Sequence, residues 1–354
     1  MERKMIPLLY SLHSGALYGT ERMALATAQA LGPGYRVVII APEGPVHQEA
    51  RRLGYETIVF QSFFQYLRAI RPFYARNRRV LSINTRVVHS IAAAFWETIY
   101  RRPSANLQVV HGGVEERLSY GRKKILRYFG AKQVAVSNYV KDRLIANGTD
   151  PGTVRVIENF LSDERIADAH VRPRFTEAGV RRVLVVSRLD PIKRIDLVMD
   201  AIDAVPSLAD IEFRILGSGQ DEQPLRARAA SYPNVHLMGF SSAAAEEMAQ
   251  ADLFLHLCGE EPFGLAILEA MAARLPILVP DQGGAGAIIE PGLSGLHFVT
   301  NDARSLARQL QFFKSANAEE LNRLADGATE RLRNHYSAQS GASQYGKIIE
   351  ECWV

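Results

Sequence analysis

Short apolar runs recur along the chain, and between them lie longer segments with apolar residues every third or fourth position. Runs at residues 6–10, 37–41, 57–60, 80–83, 108–110, 133–136 and 154–157 predict strands. The segments 21–31 and 138–146 carry the helical period. A second series of strands is predicted at 183–186, 212–216, 235–238, 253–257, 277–279 and 296–299. Regular alternation of strand and helix implies parallel sheets covered by helices on both faces. Two such series predict an α/β protein of two doubly wound, Rossmann-like domains. The polar, proline-containing stretch 162–182 is the expected linker between them. Residues 337–352 read as one more helix, with Tyr345, Ile348, Ile349 and Cys352 at helical spacing. Ligands of such sheets bind beyond the carboxyl ends of the strands, so two facing domains would form a cleft.

Length and composition narrow this picture. A chain of 354 residues exceeds one ordinary domain, and 47% hydrophobic content suits two sizeable cores. No apolar run approaches the roughly 20 residues needed to span a bilayer. The strand-like stretch that follows Met1, Glu2, Arg3 and Lys4 is too short for a secretory leader. Two cysteines, Cys258 and Cys352, exclude a disulfide framework and a cysteine-rich zinc site. Cytoplasmic residence is the expectation. Residues 1–160 hold 23 Lys and Arg against 11 Asp and Glu, a net of +12, whereas 161–354 hold 19 against 27, a net of −8. This split supports two modules. It also leaves two readings open: an anionic partner for the first half, or attraction between the halves.

The candidate chemistry sits at predicted strand ends. Glu261 and Glu269 bracket the stretch Glu261-Pro262-Phe263-Gly264-Leu265-Ala266-Ile267-Leu268-Glu269, a loop and turn leading into an apolar helix. A helix start presents unpaired N–H groups and partial positive charge, which suits a diphosphate, while each carboxylate can accept from sugar hydroxyls. Arg188 and Lys193 follow the strand at 183–186, where a guanidinium fork and an ammonium together suit the same diphosphate. Gly217-Ser218-Gly219, Gly15-Ala16-Leu17-Tyr18-Gly19, His111-Gly112-Gly113 and Asp281-Gln282-Gly283-Gly284 each follow a strand as well. The glycines fit either close backbone approach to a ligand or ordinary tight turns. The Gly15 loop has neither the dinucleotide fingerprint nor a P-loop ending.

Taken together, these strings resemble the retaining GT-B glycosyltransferases of family 4, the "glycosyl transferases group 1" class. The resemblance runs through Ser187-Arg188-Leu189 with Lys193, Gly217-Ser218-Gly219, Ala251-Asp252-Leu253-Phe254, Glu261 to Ala272, and Gly283-Gly284. More loosely, it includes the Gly15 loop, Val110-His111-Gly112 and Ala135-Val136-Ser137. It implies a GT-B architecture. Residues 1–162 would form an acceptor-binding domain and 163–336 a nucleotide-sugar-binding domain, with 337–354 crossing back as a helix onto the first. Arg188 and Lys193 would then grip the donor diphosphate, and Glu261 would accept from sugar hydroxyls. Phe263, Gly264 and Leu265 would offer backbone N–H groups, and Glu269 would bind the ribose. His111 would lie near the donor sugar, with Gly15 and Gly217 in the neighbouring loops. Glu261, His111, Arg188 and Lys193 are thus the expected catalytic set. No cofactor and no metal are expected, since cationic groups can stabilise the leaving diphosphate. Departures from the family pattern are Arg274, Ala287, the Asn159-Phe160-Leu161 turn and Cys258.

The implied activity is transfer from a nucleoside-diphosphate sugar, UDP first and GDP next, to a hydroxyl of a glycan, lipid-linked or small-molecule acceptor. The setting would be bacterial cell-surface polysaccharide or glycolipid synthesis. Two other readings share the architecture: a non-hydrolysing nucleotide-sugar epimerase and a non-catalytic sugar-nucleotide-binding subunit. Basic clusters at 68–79 and 117–132 carry apolar neighbours, which makes the inner face of an anionic membrane a candidate partner. No stacking platform for nucleic acid is evident.

Overall fold

A computed structural model describes residues 5–102, 104–113, 116–241 and 243–353. Residues 1–4 and the Arg117 side chain, both used in the sequence reading, lie outside it. The chain divides into two compact units, Met1–Ser162 with Ala338–Val354, and Asp163–Ser337.

The first unit contains a seven-stranded parallel sheet. Its strands are β1 (Ile6–Ser11), β2 (Tyr35–Ala41), β3 (Glu56–Val59), β4 (Leu81–Asn84), β5 (Ala105–Val110), β6 (Lys132–Ala135) and β7 (Val154–Val156). Their order is β3-β2-β1-β4-β5-β6-β7. The chain therefore reverses direction across the sheet between β1 and β4, which pair in register from Leu8 with Leu81 to Ser11 with Asn84. β4 and β5 are buried on both faces although they carry Ser82, Asn84, Asn106 and Gln108. Those polar groups satisfy one another: Asn84 Nδ2 donates to Asn106 Oδ1 at 3.1 Å, and Ser90 Oγ to Gln108 Oε1 at 2.9 Å. A buried polar network of this kind tolerates no missing member.

The second unit repeats the plan with β8 (Arg182–Val186), β9 (Glu212–Leu216), β10 (Val235–Gly239), β11 (Leu253–Leu255), β12 (Ile277–Pro280) and β13 (Leu296–Phe298). The order is β10-β9-β8-β11-β12-β13, all parallel, and the reversal falls between β8 and β11. Each of the thirteen expected strands is present, within a few residues of its predicted bounds. The unit boundary falls at Ser162, the start of the stretch read as linker, and the rest of that stretch is fastened to the second unit. Arg172 donates to Ala251 O at 2.8 Å and pairs with Asp252 at 2.7 Å, and its guanidinium lies 3.4 Å from the centre of the Phe175 ring. Phe175 itself enters the second core. Polar composition concealed one anchoring aromatic.

The helix Ala338–Trp353 belongs to the first unit, where it packs on the helix Gly19–Ala30 and on β5. Tyr345, Ile348 and Ile349 are buried in that contact, and Lys132 pairs with Glu351 at 3.1 Å. Gly341 allows the close seating: a Cβ there would lie 2.1 Å from Cε1 of the buried Phe160. Gly346, in the same helix, has open space. Gly341→Ala should therefore destabilise the protein by more than about 1 kcal/mol through overpacking. Gly346→Ala should be neutral or stabilising by up to about 1 kcal/mol, because alanine is the better helix former. Paired thermal melts check both signs.

Candidate functional site

In an open parallel sheet the crevice lies where the strand order reverses, because adjacent loops there diverge to opposite faces. In the second unit that point separates β8 from β11. The loop after β8 makes one tight turn, Pro191–Lys193, closed by Arg194 in the left-handed region at φ 52°. Lys193 projects from the end of that turn. From the other side of the switch point, the loop after β11 brings Glu261. Lys193 Nζ and Glu261 Oε2 meet at 2.5 Å, with side chains only 14% and 16% exposed. His256, which directly follows β11, is buried and places Nε2 3.5 Å from the same carboxylate oxygen. That distance is electrostatic contact rather than a good hydrogen bond.

Opposing effects set the charge here. Burial pushes the Glu261 carboxyl up, but Lys193, His256 and Arg188 outweigh it and hold the group below its ordinary value. His256 is driven down to about 4, first by burial and despite the nearby carboxylate. At neutral pH the site therefore holds one ammonium, one carboxylate and a neutral imidazole. Burial also pushes the Cys258 thiol up to about 11, so it is no nucleophile.

The helix Leu265–Ala272 begins beside this cluster, with Gly264 as N-cap at φ 109°. A side chain at that φ is strained, and a Cβ would meet Ile267 Cδ1 at 2.8 Å. Ile267 N donates back to Gly264 O at 3.0 Å, and the helix start carries the positive end of the dipole. Phe263 is 3% exposed and packs edge-on against Tyr336, which anchors the turn. Gly284 N donates to Glu261 O at 2.7 Å, so the loop after β12 braces the Glu261 loop from behind.

The glycines predicted to admit a ligand serve first to let loops touch. A Cβ on Gly217 would fall 1.8 Å from Ser187 O, and one on Gly284 would fall 2.1 Å from Pro262 O. Gly15 does the same in the first unit, against Pro42 O and Glu43 O. Arg188 lies at the rim, its side chain 69% exposed and paired with Asp190 at 2.8 Å. Glu269 is held by Arg165 at 2.5 Å, a partner within the stretch read from sequence as linker. His111 lies in the first unit after β5, its Nε2 shielded and without a hydrogen-bond partner among the described residues. Burial and then the charge of His13 bring it down to about 3. Among the described residues no group of three or more His, Cys, Asp or Glu side chains is placed to hold a metal ion.

The profile of the family described as "Glycosyl transferases group 1" matches residues 168–331, and that of "Glycosyltransferase Family 4" matches residues 17–165. The chain belongs to the group 1 glycosyltransferases. One relative is the N-acetyl-alpha-D-glucosaminyl L-malate synthase of Bacillus anthracis, 26% identical over 207 residues that cover 55% of this chain and 53% of that protein. Another is the putative colanic acid biosynthesis glycosyltransferase WcaL of Escherichia coli K12, 29% identical over 183 residues, 48% of this chain and 44% of that one. The chain thus spans about half the length of the curated relatives it matches. The crystal structure of Anabaena Alr3699/HepE with UDP and glucose shares the fold with a TM-score of 0.76 at 18% identity, covering 97% of this chain and 99% of that one. The two sheets described above are accordingly those of a GT-B fold.

Within this group 1 chain, sequence reading missed His256 and Arg165. His256 lay inside an apolar strand and Arg165 inside an unremarkable polar stretch. The only available signal for His256 was its position as the residue ending a strand next to the Glu261 loop. A third omission is His13 with Thr85, which bridge the switch point of the first sheet: His13 Nδ1 lies 3.1 Å from Thr85 Oγ1.

Lys193→Met should strand the Glu261 carboxylate and cost on the order of 2 kcal/mol at neutral pH. The sign with pH follows from the depressed carboxyl. The pair stabilises fully above the ordinary value of 4.5 and loses its contribution as pH falls through the lower folded value. Melting curves of parent and variant should therefore differ most near neutrality and converge in acid.

Proposed function

We propose that this protein transfers a sugar from a nucleoside-diphosphate donor, UDP first and GDP next, to a hydroxyl of a glycan, lipid-linked or small-molecule acceptor. The observation that carries the reading is the Lys193–Glu261 pair spanning the switch point at the head of the 265–272 helix. A diphosphate arriving there offers Lys193 a doubly anionic partner in place of one carboxylate. It also meets the N–H groups at the helix start and the exposed guanidinium of Arg188. Glu261, released from the ammonium but still ionised, then accepts hydrogen bonds from donor sugar hydroxyls. Glu269 exchanges part of its contact with Arg165 for the ribose.

The transfer step breaks the bond between the anomeric carbon and the phosphate oxygen. The acceptor oxygen forms its bond on the same face, and the donor phosphate takes the acceptor's proton. Configuration is retained and no side-chain nucleophile is required. Lys193, Arg188 and the helix dipole stabilise the charge that grows on the leaving diphosphate, the role a metal ion plays elsewhere. Cell-surface polysaccharide or glycolipid synthesis is the setting that best suits the relatives, one of which is named for colanic acid biosynthesis. An acceptor held at the inner face of an anionic bilayer fits the basic first half of the chain.

A thermal-shift panel of UDP-, GDP- and ADP-sugars should show a clear rise with one donor class, as expected when a ligand binds only the folded state. Glu261→Ala and Lys193→Ala should each reduce turnover with that donor by about tenfold to a hundredfold. Parent-level turnover in both variants, or no shift with any nucleotide sugar, would overturn the assignment.

A further inference from the structure

The first unit presents a surface that the transfer reaction leaves unused. Two helices, Phe63–Arg76 and Val87–Tyr100, pack side by side. Trp96 Nε1 donates to Leu67 O at 2.9 Å, Arg71 Nε donates to Tyr100 Oη at 2.9 Å, and the Arg71 guanidinium lies 5.8 Å from the Trp96 ring centre. The second helix buries His89, Ser90 and Ala92–Ala94 against the sheet. Its opposite side exposes Val88 at 43%, Phe95 at 47% and Ile99 at 56%. Spacings of seven and four residues set those three in one stripe. The neighbouring helix opens with Phe63 and Phe64, the latter 75% exposed. Arg68 and Arg71 follow Phe64 at the fourth and seventh positions, so Phe64 and both arginines share a face, and Arg76 is exposed at the last residue of the same helix. The turn Gly121–Phe129 also packs on the Val87–Tyr100 helix and adds exposed Ile125 and Tyr128 beside exposed Arg122, Lys124 and Arg127.

Charge on this surface is one-sided. Residues 61–102 hold eight arginines (68, 71, 76, 78, 79, 86, 101 and 102) and a single carboxylate, Glu97. Glu97 sits on the side of its helix opposite Phe95 and Ile99, and burial raises it to about 6. Within residues 61–102 no other carboxylate offsets the arginines between these apolar side chains. A second copy of the chain is a poor occupant, because a self-complementary contact would set the same arginines against each other. An anionic bilayer supplies both needs at once. Its headgroups attract the guanidinium groups, and its acyl boundary takes the half-exposed rings, with arginine stems lying along the interface.

We infer that the surface formed by the 63–76 and 87–100 helices and the 121–129 turn docks the protein on an anionic phospholipid bilayer, with Phe64, Phe95 and Ile99 as anchors and Arg68 and Arg76 as headgroup contacts. This inference does not depend on the donor assignment. Either can fail alone.

Vesicle flotation tests it. The full chain should float with phosphatidylglycerol-containing phosphatidylcholine vesicles and not with phosphatidylcholine alone. The double variants Phe64→Ser/Phe95→Ser and Arg68→Glu/Arg76→Glu should each weaken binding by at least about tenfold. Circular dichroism and the donor-induced thermal shift should stay as in the parent, which separates lost docking from lost folding. Absence of binding to anionic vesicles at low salt would overturn the proposal. So would binding that the phenylalanine variant leaves unchanged, since that is adsorption by charge alone. Capture of the chain by a soluble acidic polypeptide, without vesicle binding, would assign the surface to a protein partner instead.

Discussion

A carboxylate held largely out of water needs a counter-charge, and in the second unit the only described ammonium in hydrogen-bond contact with Glu261 comes from a loop on the far side of the sheet's reversal point. Glu261 follows β11 and Lys193 follows β8, so one short contact ties together the two loops that the topology drives apart. The Glu261 loop is in turn braced by Gly284 N and pinned by the Phe263 ring against Tyr336. An isolated buried charge destabilises, whereas here each charge offsets the desolvation of the other.

Sequence periodicity located the strands because each is a short apolar run between polar helical stretches, and parallel sheets bury such runs on both faces. It located Arg188, Lys193, Glu261 and the glycine turns because all of these sit at strand ends. It could not say what those residues touch. The partners of Glu269 and Glu261, Arg165 and His256, come from a segment with no periodic signal and from the residue just after β11, inside the apolar run predicted as a strand. Composition likewise gave no sign of how 162–182 is fastened to the second unit, where Phe175 lies beneath Arg172. Arg274, which stood out as a departure from the family pattern, has a concrete place. It adopts φ 60° and reaches Asp326 at 2.7 Å and Asn322 at 2.9 Å, fastening the turn after the 265–272 helix to the long helix Ala318–His335.

The same logic of glycine appears in both units. Gly15, Gly217 and Gly284 lie where a backbone carbonyl of a neighbouring loop occupies the space of a side chain. Their first physical duty is to draw the loops of neighbouring strands into contact: β1 with β2, β8 with β9, and β11 with β12. A glycine string at a strand end is therefore informative about rim construction even where it touches nothing else.

The seating of the Ala338–Trp353 helix on the first unit has an outcome for biogenesis. The first body is assembled from two separated stretches of polypeptide, whereas Asp163–Ser337 is one uninterrupted stretch. Without residues 338–353 the second body is whole, whereas Phe160, β5 and the Gly19–Ala30 helix lack their cover, so the first body closes only when chain segments far apart in sequence meet.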